Sequence, residues 1–310
     1  MTLPQHKLGI AAMVLCAFLW STAGLVMRTA SVKNGWEATF WRSLFLCAVI
    51  GLLVAFQYRG AALERMRAMG WHGAVSGLCW ATMFTAFMLA LALTTVANTL
   101  VMMALLPFFA ALAGRIVLGE RIAARTWIAM AAAAAGVAAM FHDGFASGTF
   151  AGSLVALAIP VAAAVNTVVV KLGRGRVDLV PALFLGGAIS VALAAPFAAP
   201  FTAGGRDLAL FGALALFQLA VPCVLLVSVV MPRLSAAEIG LLSLLEVVLG
   251  PLWVWLAWGE HPGPTALGGG VIVLAALALN EGVALALERR AARAPLVFSR
   301  PSSRSPSRAQ

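Results

Sequence analysis

Charge is scarce in this chain. Its 310 residues include only 11 Asp and Glu against 21 Lys and Arg, and charged residues make up 10% of the total. A soluble domain carries roughly 25% charge and about 45–50% apolar residues. Here apolar residues reach 63%. So little charge cannot cover a water-facing surface of this size, which excludes an ordinary soluble domain. Cysteine is sparse too. Cys16, Cys47, Cys79 and Cys223 each sit inside an apolar run with no CxxC, which argues against a disulfide framework or a zinc site. The four histidines, His6, His72, His142 and His261, fall near ends or loops and form no metal cluster in sequence. HExxH, a GxSxG elbow and a Walker loop are missing. No metal or cofactor is expected, the chain does not read as an enzyme, and nucleotide hydrolysis is not its energy source.

What the chain has is long apolar runs. Polar breaks divide it into ten: 8–29, 37–57, 71–93, 96–118, 126–141, 150–171, 179–200, 208–231, 236–258 and 265–287. A spanning helix needs roughly 20 mainly apolar residues. The first run exceeds the usual 7–15 residue core of a signal peptide and reads as a retained helix. The fifth run is short and alanine-rich, and relies on its neighbours. The connecting loops leave no room for a soluble domain. At membrane depth every backbone polar group must be bonded internally, so helices are the expected element.

Basic residues set the orientation. With the N-terminus in the cytoplasm, Lys7, Arg59, Arg65, Arg67, Arg121, Arg125, Lys171, Arg174, Arg176, Arg233 and the tail arginines share that side. Only Arg28, Lys33 and Arg206 fall on the other. The positive-inside rule then places both termini in the cytoplasm of an inner-membrane protein. Basic residues spread over loops in this way do not form the basic face that nucleic acid needs. Residues 288–310, rich in Ser, Pro and Arg, are expected to form a disordered basic tail near anionic lipid headgroups.

The fourth run ends in LGERIAARTW and the ninth in WGEHPGPTAL, so Gly119–Glu120 and Gly259–Glu260 stand 140 residues apart. Each pair precedes a turn and another apolar run. The chain therefore divides into 8–141 and 150–287, each with five helices. Five is odd, so the second half enters the membrane from the opposite side. The expected fold is an all-α membrane protein of ten transmembrane helices in two inverted five-helix repeats. Secondary transporters use this architecture, with substrate near the midplane between the halves. A lipid-modifying intramembrane enzyme and a non-transporting scaffold are the alternatives. The first needs a polar catalytic cluster at one interface, and the second has no need of a buried acid.

The stretch ALALTTVANTLVMMALLPFFAALAGRIVLGERI (90–122) resembles the first-half signature of EamA-type transporters of the drug/metabolite transporter superfamily. LSAAEIGLLSLLEVVLGPLWVWLAWGEHP (234–262) is similar to the second copy, and FLWSTAGLVMR (18–28) and FWRSLF (40–45) fit the family's helices one and two. The resemblance covers about residues 10–285. Two features depart from it. Val247 rather than proline follows Glu246, with Pro251 a turn later, and Pro160 stands where the first repeat has Trp20. The resemblance implies ten helices, alternating access and a small-molecule substrate. Among members of this layout, exporters of amino acids, including aromatic ones, are frequent. A proton is a compatible coupling ion, and a monomer or weak homodimer in membrane lipid is expected.

The candidate substrate or coupling residues are few. Glu246 lies mid-run, where an ionised carboxylate costs about 2.5–3.5 kcal/mol on insertion scales, so it is expected to face a polar path. Its two readings are a partner for a cation or proton and an internal pair that orients helices. Ser243, one turn earlier, shares its face. Arg42 either meets a substrate carboxylate or joins Arg28 and Glu37 in a structural ion pair. Asn98, Asn166 and Gln218 read first as interhelical hydrogen bonds and second as ligand contacts. Trp20 and Thr22 belong to a small-polar cluster with Ser21 and Gly24. Trp20, Trp80, Phe84 and Phe87 read first as core packing and second as a candidate aromatic wall. The Gly-Glu pairs read as helix stops, and Pro107, Pro160, Pro181, Pro222 and Pro251 as points of bending.

Overall fold

Continuous apolar sequence with few internal breakers gives helices throughout the computed structural model, which describes residues 3–147, 150–173, 179–230, 232–234 and 236–293. Ten helices follow the ten runs. They are α1 (Leu3–Ser21, resuming as Ala23–Thr29), α2 (Gly35–Tyr58), α3 (Gly70–Leu93), α4 (Val96–Met103, resuming as Leu106–Leu118) and α5 (Ala124–Ser147). The second set is α6 (Phe150–Leu172), α7 (Leu179–Ala198), α8 (Gly205–Val230), α9 (Ala236–Trp258) and α10 (Pro264–Arg293). Among the described residues nine helices are long and apolar enough to cross a membrane, and the apolar stretch Ala124–Met140 of α5 is the tenth. The protein is an all-α membrane protein.

Two boundaries extend beyond the apolar runs. α5 continues to Ser147, because His142 and Asp143 end the hydrophobic run without ending the backbone hydrogen bonding. α10 continues to Arg293, so residues 288–293 of the expected tail are helical. Glu288, Arg289 and Arg290 are ordinary helix formers, and charge alone does not stop a helix. The rest of the tail lies outside the described residues. A short helix, Ala62–Ala68, fills the loop between α2 and α3.

Three helices are interrupted at depth. α1 breaks at Thr22, and α4 breaks at Ala104–Leu105 just before Pro107. In α8 the turns widen over Leu214–Ala220 and Leu226–Val230, on either side of Pro222. Interruptions of this kind survive where neighbouring helices or a cavity take up the freed backbone groups.

The principal pairings have a simple pattern. α3 packs on α6 and α1 on α8; α4 packs on α6 and α1 on α9; α3 packs on α7 and α2 on α8. Exchanging each helix for the one five places along turns one member of each couple into the other. The contacts of α2 with α7, α5 with α10 and α4 with α9 map onto themselves, whereas α2 with α3 and α9 with α10 have no comparable counterpart.

The α5–α10 contact depends on missing side chains. A Cβ on Gly269 would lie 2.5 Å from the Gly136 carbonyl oxygen, and one on Gly136 would lie 2.8 Å from the Gly269 carbonyl oxygen. Backbone cannot move aside as a side-chain end can. Gly269→Val is expected to destabilise the protein by about 1–3 kcal/mol, the usual range for overpacking. A thermal melt of the detergent-solubilised variant checks this, and an unchanged melt means that α5 and α10 are not in close contact.

Candidate functional site

Glu246 is placed by the periodicity of α9. Leu245, Val248, Trp255 and Leu256 make the exposed stripe of this helix. Glu246 lies on the opposite side with Gly250 and with Val254, which is fully buried. That side faces α1 and α4. The Trp253 indole N–H donates to Ser21 Oγ at 2.9 Å, and a Cβ on Gly250 would collide with Leu100. Leu242, one turn before Glu246, packs beside a cluster of Met13, Cys16 and Val230 that Trp20 also covers. Ten residues at 1.5 Å each put Glu246 about 15 Å from the start of α9, near the middle of the span. It is half-buried and makes no hydrogen bond or ion pair with any described residue.

The polar groups near the α1 break are turned onto their own helices. Ser21 Oγ donates to the Phe18 carbonyl and Thr22 Oγ1 to the Leu19 carbonyl, each at 2.7 Å. Ser243 Oγ donates to the Gly240 carbonyl at 2.7 Å, so its hydroxyl serves α9 and leaves Glu246 alone. α9 runs unbroken through Pro251.

A second polar centre lies between α2, α3 and α8. Arg42 is only 1% exposed. Its Nη1 donates to Gln218 Oε1 at 3.2 Å and its Nη2 to the Phe84 carbonyl at 3.1 Å. The guanidinium carbon lies 5.7 Å from the centroid of the Phe84 ring and 5.5 Å from that of Phe87. Trp80 tilts against Phe84 at 5.5 Å. The aromatic wall therefore splits: Trp80, Phe84 and Phe87 gather round Arg42, while Trp20 stands with α8 and α9.

The expected ion pair among Arg28, Glu37 and Arg42 does not form. Residues five apart on a helix are separated by about 140° around its axis, so Glu37 and Arg42 point different ways. Glu37 is fully buried and accepts from the Thr202 and Ala203 backbone N–H groups, both at 2.7 Å, and from Thr202 Oγ1 at 2.8 Å. It holds the loop between α7 and α8 in place. Arg28 instead meets Glu260, with its Nε 2.6 Å from Oε2.

The two asparagines join helices. Asn98 Nδ2 donates to Thr94 Oγ1 at 3.0 Å and to Ser153 Oγ, tying α4 to α6. Asn166 Oδ1 accepts from Ser76 Oγ at 2.7 Å, tying α6 to α3.

Sequence reasoning missed what lies beyond the helix stops. Gly119 and Gly259 do end α4 and α9 in the left-handed region, at φ 69° and 64°. The glutamate after each then reaches another helix end: Glu120 meets Lys171 of α6 at 2.8 Å, and Glu260 meets Arg28 of α1. The matched Gly-Glu spacing was the available signal. Asp207, which accepts from the Ser31 backbone N–H at 2.9 Å, gave no sequence signal.

Comparison with known proteins agrees with this architecture. A crystal structure of a protein 20% identical in sequence shares the fold with a TM-score of 0.60, over 91% of this chain and 98% of that one. No curated protein matches. The family model of the EamA-like transporters matches residues 7–141, which span α1 to α5 up to the end of its apolar stretch. Residues 7–141 are thus similar to the EamA-like transporters, a family of the drug/metabolite transporter superfamily.

Proposed function

We propose that this protein is a secondary transporter that exports amino acids or related small metabolites by alternating access. Its working units are two inverted five-helix repeats, 8–141 and 150–287. Three observations support this reading. Most of the principal helix pairings survive exchange of the two sets of five helices. Three helices are interrupted at depth, as in transporters whose sites use broken helices. The observation that carries the proposal is Glu246, a carboxyl on the bundle side of α9 without a partner among the described residues. A carboxyl held there at a cost is retained where it meets a cationic substrate group or a proton. In this reading the protein lies in the inner membrane with both termini in the cytoplasm, which the basic loops support.

Flux of a labelled amino-acid panel through proteoliposomes tests the function. Saturable movement of at least one amino acid, driven by its own gradient or by a proton gradient, is expected. Lipid turnover without solute flux would overturn the reading in favour of an enzyme.

A further inference from the structure

We propose that Arg42 is a receptor for the carboxylate of the transported molecule, with Trp80, Phe84 and Phe87 taking the apolar group next to it. This assigns a substrate class, an aromatic or bulky apolar carboxylate, and it rests on the transporter reading above.

The argument starts from an uncompensated charge. A buried guanidinium is normally matched by a carboxylate, because removal from water is otherwise very costly. Arg42 has none. Its partners are two neutral oxygens, an amide and a backbone carbonyl. Glu37, on the same helix, is engaged by the loop at residues 202–203. Asp207, on α8, is engaged by Ser31. Glu246 lies on the side of α9 that faces α1 and α4, away from this centre, so a carboxylate brought by the transported molecule is the anion that fits.

Donor geometry says what kind of anion fits. Guanidinium carries five N–H donors in a planar fork. Two are used, and Arg42 Nε is buried without a partner. The Trp80 indole nitrogen is likewise buried and unpartnered, and its ring lies against Phe84, which also flanks the guanidinium. Two orphaned N–H groups around one ring, beside a full positive charge, suit a planar acceptor with two oxygens. Carboxylate matches the fork in a way that a spherical anion does not. The rings of Phe84 and Phe87 offer the adjoining group an apolar and aromatic surface. Arg42 is seven residues into α2, about 10 Å along the helix, which is deep for a lipid headgroup and suitable for a transported molecule.

The test compares molecules that differ only in the carboxylate. Purified protein in nanodiscs is titrated with L-phenylalanine, 3-phenylpropionate, L-phenylalaninamide and phenethylamine, with binding read by isothermal calorimetry and by thermal shift. The two carboxylates are expected to bind, and the amide and the amine to bind about tenfold or more weakly. Trp80→Phe keeps the ring and removes one donor, so it should weaken carboxylate binding several-fold without lowering the melting temperature. Arg42→Lys keeps the charge but loses the fork, and Arg42→Gln loses both. Carboxylate preference should fall in that order, read only on variants that melt cooperatively. Equal binding of acid and amide, binding of none of the four, or unchanged acid preference in Trp80→Phe and Arg42→Lys would overturn the assignment. Amino-acid flux with any of these results leaves transport standing and removes only the site. Carboxylate binding without flux for any panel member leaves the site standing and removes the transport reading.

Discussion

Glu246→Gln is expected to fold and insert normally and to lose about tenfold or more of substrate flux. Glutamine keeps the length and shape of the side chain and can still form hydrogen bonds, but it holds no charge and accepts no proton. The carboxyl is half-buried on the bundle side of α9 and has no partner to lose among the described residues. Removing its charge therefore leaves no orphaned group behind, which is the usual source of large destabilisation. The melting temperature should stay the same or rise slightly. If Glu246 carries a proton, wild-type flux follows the proton gradient and the Gln variant ignores it. If it binds a substrate amine, the Gln variant loses affinity and keeps what pH response remains. Glu246→Leu serves as the packing control, with the same loss of flux and a different side-chain volume. Full flux with full pH dependence in the Gln variant would show that the carboxyl has no part in transport.

The helix count and the spans were readable because one physical demand fixes them. A bilayer requires about 20 apolar residues per crossing, and the α9 run of 236–258 coincides with the observed helix. The breaks at Thr22 and at Ala104–Leu105 were not readable, since hydropathy is blind to backbone hydrogen bonding. Proline marked α4 and α8 as places of bending, but α1 has no proline at its break. The candidate residues were found individually, because a polar side chain in an apolar run stands out. Their partners were not found, because partnership depends on helix packing. Arg42 and Gln218 are 176 positions apart, and Arg28 and Glu260 are 232 apart. The assumed Arg28–Glu37–Arg42 pair followed from their similar depth, and the helical turn between Glu37 and Arg42 defeats it.

The two Gly-Glu pairs should respond very differently to the same substitution. Glu260 accepts from Arg28 through both oxygens and from the Val96 backbone N–H at 3.1 Å. Arg28 also donates to the carbonyls of Leu91 and Thr94, at 2.6 and 3.0 Å. These are carbonyls at the end of α3 and an N–H at the start of α4, groups that helix ends leave without intrahelical partners. One ion pair thus joins the ends of α1, α3 and α9 to the first residue of α4. Its side chains are 25% and 23% exposed. Glu120 and Lys171 make a single contact and are 46% and 50% exposed, in the range where ion pairs contribute about 0–1 kcal/mol. Glu260→Gln weakens three charge-assisted bonds and leaves Arg28 without its counter-charge. It is expected to cost about 2 kcal/mol, toward the lower end for hydrogen bonds to charged groups because the pair is partly solvated. Glu120→Gln is expected to cost less than about 0.5 kcal/mol. Thermal melts of both variants in the same detergent, at low and high salt, make the comparison. The Glu260 variant should melt several degrees lower than wild type at both ionic strengths, while any shift in the Glu120 variant should vanish at high salt. Equal shifts in the two variants would mean that the Arg28–Glu260 contact is no more than a surface pair.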